Sequence, residues 1–415
     1  MLESLRSVMK FRRFEPNPVR RRLNGAANVD DLRSIAKRRL PAGVFDYIDG
    51  GAEDEIALTN NSEAFQRIGF RPRVLRDVSS IDTSVSLLGR TTPLPLVLAP
   101  TGFTRVADTQ GELAVARACA RRGIPYTLST MGTRSIEELA AASDSVPWGG
   151  EGQRRLWFQV YMWRDRGLVR ELVERAAAAD YEALVLTVDT ARLGRRERDV
   201  RRGMTLPPKL GLDTIFDGIR RPGWTWSFLR NEPIVFANVA TSSAAGDIDD
   251  GSRAVDLAQH IQDQFDPSLN WDDVEWLRSI WGGKILLKGV QSVADTELAV
   301  ANGIDAICLS NHGGRQLDGA PAPIELVAPC RDAVGDSIEL IVDGGIRRGS
   351  DIVKARALGA DAAMAARVYL YALGAGGELG VDWMLDFLTD GVRQTMALCG
   401  QTNASDLSRE LLTEV

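Results

Sequence analysis

After residue 90 the chain carries eight short apolar runs, each bounded by polar or glycine signals and set apart by segments of helical period. They span residues 94–99, 126–129, 157–162, 183–188, 284–288, 306–309, 339–342 and 362–366. Eight strand-helix units in series predict an α/β fold, a parallel (β/α)8 TIM barrel, in which the C-terminal strand ends form the active-site face. Polar or glycine-bearing groups stand at nearly every one of those ends: Thr101 and Gly102, Ser129, Gln159 and Tyr161, Thr187 and Asp189, Lys288, His312 and Arg315, Asp343-Gly344-Gly345, and Arg367. All are therefore expected at one mouth.

The 415 residues exceed what a barrel needs. Residues 1–28 read as a basic arm, and residues 29–415 as the barrel, opened by helices over 29–80 that should close its floor and flank. Asp30 and Asp31 mark one helix start, and Phe45 to Gly51 a helix end. The fourth connection is far longer than the usual 2 to 6 residues, so 203–270 reads as an insertion or lid. Within it, Pro222 to Leu229 alternates aromatics with small polar residues, which would either pack on the barrel or form a membrane or partner patch. Thr241 to Gly251 reads as flexible. In the arm, Leu2, Leu5, Val8 and Met9 share a helical face beside a cluster of arginines, a pattern suited to an anionic membrane surface or to an arm on a neighbouring subunit.

Fifty basic against 56 acidic side chains argue against nucleic-acid binding, which needs a basic face. No apolar run reaches the roughly 18 residues of a membrane span, and no signal-peptide core is found at the N-terminus. A cytoplasmic address is expected, with peripheral contact at the inner face of the cell membrane as an option. Cys119, Cys308, Cys330 and Cys399 are widely spaced and read as reduced core residues. With His260 and His312 the only histidines, no metal site is expected. No Walker loop or G-x-G-x-x-G follows a strand, so any nucleotide-like cofactor is held in another way.

Ser310-Asn311-His312-Gly313-Gly314-Arg315 places an imidazole three positions before a guanidinium at a strand end. Histidine moves protons at neutral pH, and arginine grips carboxylates in bidentate fashion. The pair suggests acid–base work on a carboxylated small molecule. Read alone, the same run is equally a plain strand-to-loop turn.

With these strand ends assembled, the chain resembles the FMN-dependent L-2-hydroxy-acid dehydrogenase/oxidase family from about Asp30 onward, most closely its bacterial respiratory L-lactate dehydrogenases. The resemblance rests on Asp46-Tyr47, Ala99-Pro100-Thr101, Phe158-Gln159-Val160-Tyr161, Leu186-Thr187-Val188-Asp189, Leu193-Gly194-Arg195-Arg196-Glu197, Leu287-Lys288-Gly289, the histidine motif and Asp343-Gly344-Gly345-Ile346-Arg347. It implies that Arg315 and Tyr47 hold the substrate carboxylate, with Arg196 as a second cation. His312 would be the base, Asp189 its orienting carboxylate, and Tyr161 a contact to the substrate hydroxyl. Pro100, Thr101, Gly102, Ser129, Gln159, Thr187, Lys288 and Ser310 would surround the flavin ring. Asp343, Gly344, Gly345, Arg347, Ala366 and Arg367 would hold the ribityl phosphate. Hydride transfer and carbanion formation both fit this set.

Three departures from the family pattern stand out. Ala366 replaces a glycine beside the phosphate, Ala191 a proline, and Ile48 a tyrosine. Gly102, where many oxidases of the family carry alanine, favours a dehydrogenase, as does the aromatic insertion. The resemblance thus implies oxidation of a small 2-hydroxy acid, L-lactate first, by a homo-tetramer that passes electrons to a quinone or similar acceptor. An oxidase or monooxygenase, a mandelate-type dehydrogenase, and a silent barrel that only binds FMN are the alternatives. A related flavoprotein of mycofactocin assembly lacks the arginine at position 315, which argues against it.

Overall fold

A computed structural model describes residues 14–203, 212–240 and 264–414. Leu2, Leu5, Val8, Met9, Thr241 to Gly251 and His260 lie outside the described residues. Eight parallel strands close into a barrel: β1 (Leu96–Leu98), β2 (Tyr126–Ser129), β3 (Leu156–Tyr161), β4 (Ala183–Thr187), β5 (Lys284–Val290), β6 (Ala306–Leu309), β7 (Glu339–Asp343) and β8 (Ala362–Ala365). Each pairs with its sequence neighbour, and β8 returns to β1. The eight-run reading therefore holds, with ends shifted by at most two residues.

The two-residue side-chain period of a strand explains the interior. In β3, Trp157 points inward into a small apolar cluster with Val97, Val185, Leu286, Ile341 and Met364, while Phe158 and Val160 point outward to the helices. Two and four positions after Trp157, Gln159 and Tyr161 face the same interior, now at its upper end. The same step carries Val185 to Thr187, Leu286 to Lys288 and Ile341 to Asp343. An apolar lower layer thus supports a polar upper one.

A hairpin seals the floor, which corrects the expectation that the N-terminal helices do so. Val85–Leu87 and Arg90–Thr92 pair antiparallel around Leu88 and Gly89, both at positive φ, as a two-residue type I′ turn requires. Leu87 and Leu88 join the interior apolar cluster. The Leu88 N–H donates to the Glu339 carboxylate at 2.8 Å, and buried Arg155 donates to the Leu87 carbonyl at 2.6 Å.

The N-terminal helices instead serve the flank and the mouth. Val29–Arg39, capped by the Asn28 side chain, packs its Leu32, Ile35 and Ala36 face on the long final helix Arg367–Leu398. Ala42–Asp49 carries Tyr47 to the rim of the barrel. Its last residue, Asp49, is buried and receives Arg33, Arg198 and the Tyr371 hydroxyl at 2.5 to 3.0 Å. Burial acts to raise this carboxyl, but those donors hold it at about 2. Asp49 therefore stays ionised and fixes the helix that presents Tyr47.

Part of the long insertion is helical, at Leu212–Arg220 and Pro222–Arg230. Its apolar side chains divide between packed and exposed. Trp224 packs on the core and donates its indole N–H to the Val106 carbonyl at 2.8 Å. Phe216, Ile219, Trp226 and Leu229 are exposed.

Candidate active site

A cavity with about 1360 Å³ of empty space, counted out to its open mouth, occupies the upper end of the barrel. Its wall contains every residue predicted above from the strand ends and motifs except Asp189 and Ser310. Those two stand directly behind it. The Ser310 hydroxyl accepts from Lys288 Nζ at 2.9 Å and from the His312 N–H at 3.0 Å, so it supports the site from behind and does not face the cavity.

His312 has a left-handed backbone, at φ 57°, set by the turn that begins the Gly-Gly pair. This aims its ring so that Nδ1 lies 3.0 Å from Asp189 Oδ1. Asp189 is almost wholly buried; desolvation opposes its charge, but His312 and Lys288 bring its pKa below the usual carboxylate value. An ionised Asp189 fixes the tautomer with the proton on Nδ1 and leaves Nε2 as the free basic atom. Gln316 braces the loop behind, donating to the Asp189 and Arg192 carbonyls at 2.8 and 3.0 Å.

Arg315 is buried and donates to the Tyr47 and Gly50 carbonyls at 2.7 and 3.1 Å. Its guanidinium lies 5.1 Å from the Tyr47 ring centroid, and that of Arg196 lies 5.8 Å from the same ring. Burial, then the neighbouring Arg196, push Arg315 down to about 9, which still leaves it charged at neutral pH. Among the described residues no carboxylate pairs with it. An incoming carboxylate would supply the missing counter-charge. Tyr161, held protonated by burial and by the nearby Asp189 charge, offers an O–H to the same space.

Deeper in the cavity, Ser129 donates to Gln159 Oε1 and Gln159 Nε2 donates to Thr187, both at 3.0 Å. This orients a row of polar groups along one wall. Burial opposes the Lys288 charge, but Asp343, 2.6 Å away, raises its pKa, so it is a fixed cation. The Asp343 carboxylate is thus directed at Lys288.

At the other end, Arg347 and Arg367 line the cavity with no carboxylate partner among the described residues. Arg367 is anchored on the Ile48, Gly50 and Gly313 carbonyls at 2.7 to 3.1 Å. Gly345, at φ 90°, brings backbone to the wall where a Cβ would lie 2.1 Å from the Asn61 carbonyl. Ala366 caps the final helix at φ −115°, a conformation open to any residue. Just ahead of the helix Gly349–Leu358, the Asp351 carboxylate accepts from the Arg347 and Arg348 N–H groups and fixes the turn that follows the Gly-Gly pair. The start of the final helix, at Ala366 and Arg367, lines the cavity beside two guanidiniums that have no carboxylate partner among the described residues, a donor set that fits a phosphate dianion. A polar-walled slot, a buried lysine and this anion site together fit FMN.

Sequence reasoning passed over Phe103, Phe265, Ile346 and Leu370, which complete the apolar part of the wall. Phe103 and Ile346 directly follow Gly102 and Gly345, a signal that was present. Phe265 comes from the long insertion and Leu370 from one turn into the final helix, and neither carries a local mark.

The sequence profile described as FMN-dependent dehydrogenase matches residues 36–414. An L-lactate dehydrogenase of Haemophilus influenzae is 38% identical over 94% of this chain and 98% of its own length. Glycolate oxidase 1 of Zea mays is 41% identical, covering 93% and 96%. A crystal structure of the monotopic membrane protein (S)-mandelate dehydrogenase superposes with a TM-score of 0.86 at 38% identity, over 94% of this chain and 100% of that one. The chain belongs to the FMN-dependent dehydrogenase family, and FMN is its cofactor.

Proposed function

We propose that this enzyme oxidises L-lactate to pyruvate and passes the electrons to a quinone or similar acceptor. The observation that carries the reading is one cavity holding an imidazole with a free Nε2, backed by Asp189, beside an arginine that has no carboxylate partner among the described residues. Arg315 and Tyr47 hold the substrate carboxylate, and Arg196 adds a second cation. His312 Nε2 takes a proton from the substrate, and Asp189 stabilises the resulting imidazolium. Tyr161 bonds the substrate oxygen. FMN, when bound, accepts the two electrons. Gln159, Ser129 and Thr187 would hold its ring, Lys288 would offset the negative charge gained on reduction, and Arg347, Arg367 and the Gly344-Gly345 backbone would hold its phosphate.

The test is the visible spectrum of the purified protein under argon, before and after L-lactate, with D-lactate as control. Bleaching by the L-isomer alone is expected, with slow recolouring in air. Fast recolouring would make it an oxidase, and no bleaching would overturn the lactate assignment.

A mandelate-type substrate is the second reading, favoured by the (S)-mandelate dehydrogenase likeness. Gly102 bears on it, because a Cβ there would lie 3.1 Å from Met131 Cβ and 3.7 Å from the Tyr47 hydroxyl. G102A should therefore narrow the side-chain space and raise KM for (S)-mandelate at least about fivefold more than for L-lactate. Equal effects on both would show that this wall does not touch the substrate side chain.

The exposed face of Phe216, Ile219, Trp226 and Leu229 is the surface we assign to peripheral membrane contact. Arg230, 4.3 Å from the Trp226 ring, and Arg220 supply cations for anionic headgroups. The double variant Trp226→Ser, Leu229→Ser should lose most co-sedimentation with vesicles containing phosphatidylglycerol. Unchanged sedimentation would remove this face from consideration. For assembly, the homo-tetramer has a candidate contact in the exposed loop tip Val74-Leu75; a monomer by light scattering would overturn it.

A further inference from the structure

Two buried asparagines take no part in the chemistry above. Asn61, on the helix Ile56–Gln66, is 2% exposed, and Asn311, in the turn after β6, is 1% exposed. Neither lines the cavity. Their side-chain amides are joined head to tail: Asn61 Nδ2 donates to Asn311 Oδ1 at 2.8 Å, and Asn311 Nδ2 donates back to Asn61 Oδ1 at 2.7 Å. The orientation of the pair is fixed from outside it. Asn311 Oδ1 also accepts from the Gly314 N–H at 2.9 Å, and Asn311 Nδ2 also donates to the Pro321 carbonyl at 3.1 Å; neither backbone group can exchange its role. Every hydrogen-bonding site of the Asn311 amide is thus used.

Each end of the pair holds a turn that the site needs. On one side, His312, Gly313 and Gly314 follow one another at φ 57°, 66° and 73°. A left-handed histidine is a strained arrangement and persists only where its surroundings enforce it. The Asn311 side chain closes that turn through the Gly314 N–H, and Asn61 holds the Asn311 side chain in place. On the other side, the Gly344-Gly345 turn after β7 lies directly against Asn61. A Cβ on Gly344 would stand 3.1 Å from Asn61 Nδ2, and one on Gly345 would stand 2.1 Å from the Asn61 carbonyl oxygen, so only glycine allows this approach. The helix is also pinned to the histidine loop at its start, where Asp318 accepts from the Asp54, Ile56 and Ala57 N–H groups at 2.8 to 3.3 Å. It is a strut between two turns.

We propose that Asn61 is a positioning residue which, through Asn311, locks the turn carrying His312 and Arg315 to the turn that presents Gly344, Gly345 and Arg347 to the FMN phosphate. It touches neither substrate nor cofactor. This coupling rests on the phosphate-holding and base roles given above.

The experiment is titration of FMN and, separately, of riboflavin into apoprotein, followed by quenching of flavin fluorescence with no 2-hydroxy acid present. Riboflavin lacks the phosphate, so the ratio of its dissociation constant to that of FMN isolates the phosphate site. Asn61→Ala breaks the pair and should lower that ratio about fivefold or more; at saturating FMN it should also slow bleaching by L-lactate about tenfold. Asn311→Ala removes the same pair, so the double variant should lower the ratio no further than Asn311→Ala alone. Glu63→Gly, an exposed change on the same helix, should lower Tm and leave ratio and bleaching unaltered. Asn61→Ala with the parental ratio and only a lowered Tm would overturn the proposal, as would additive losses in the double variant or an equal fall in ratio for Glu63→Gly. A parent that binds FMN no better than riboflavin would overturn the phosphate assignment, and this coupling with it. The ratio needs no hydroxy acid, so a wrong substrate assignment leaves it intact. If Asn61→Ala does not fold, Asn61→Ser, which keeps one hydroxyl toward Asn311, decides by the same ratio, expected to fall at least about twofold.

Discussion

Replacing His312 with glutamine should slow bleaching of the flavin by L-lactate about 10² to 10⁴-fold while the protein stays yellow. Glutamine can still hydrogen-bond to Asp189, now 3.0 Å from the imidazole Nδ1, but it has no basic atom to take the substrate proton. The loss should therefore fall on the rate of the chemical step and spare FMN content, read from the absorbance ratio of flavin to protein. A rate within tenfold of the parent would remove His312 from the role of base. A colourless protein would instead report damage to the adjoining turn, where Gly313 lies against Arg367.

Arg315→Met should raise KM for L-lactate about tenfold to a hundredfold and lower kcat as well, with flavin retained. Methionine occupies similar length without charge, so it removes the counter-charge that the substrate carboxylate requires. It also frees the Tyr47 and Gly50 carbonyls that Arg315 now engages. Loss of that bracing mispositions the substrate relative to His312, which is why turnover falls along with binding. Steady-state kinetics under saturating acceptor separate the two effects. Full activity in this variant would show that the carboxylate is held elsewhere.

Much of this site was legible because the barrel interior obeys a two-residue rhythm. Once Trp157, Val185, Leu286 and Ile341 are read as inward, Gln159, Thr187, Lys288 and Asp343 must follow them inward. The chain therefore announces its polar upper layer through spacing alone. Contacts between elements distant in sequence carry no such rhythm. Nothing local marks Phe265 as cavity wall or Leu88 as part of the floor, since both depend on how separate segments fold back. The surroundings of Ser310 likewise depend on other segments. Its position at the strand end was correct, but its hydroxyl is claimed by Lys288 and the His312 N–H before it can reach the cavity.

The hairpin that closes the lower end, with Leu87 and Leu88 set into the apolar layer, makes the barrel, among the described residues, a vessel that opens at its upper end. Whatever enters to deliver electrons and whatever enters to collect them must use the same doorway. The 2-oxo acid has then to depart before the acceptor approaches along that route, so turnover is expected to divide into two half-reactions that alternate in time. Parallel lines in double-reciprocal plots and mutual competition between the hydroxy acid and the acceptor at high concentration are the kinetic image of that closed floor.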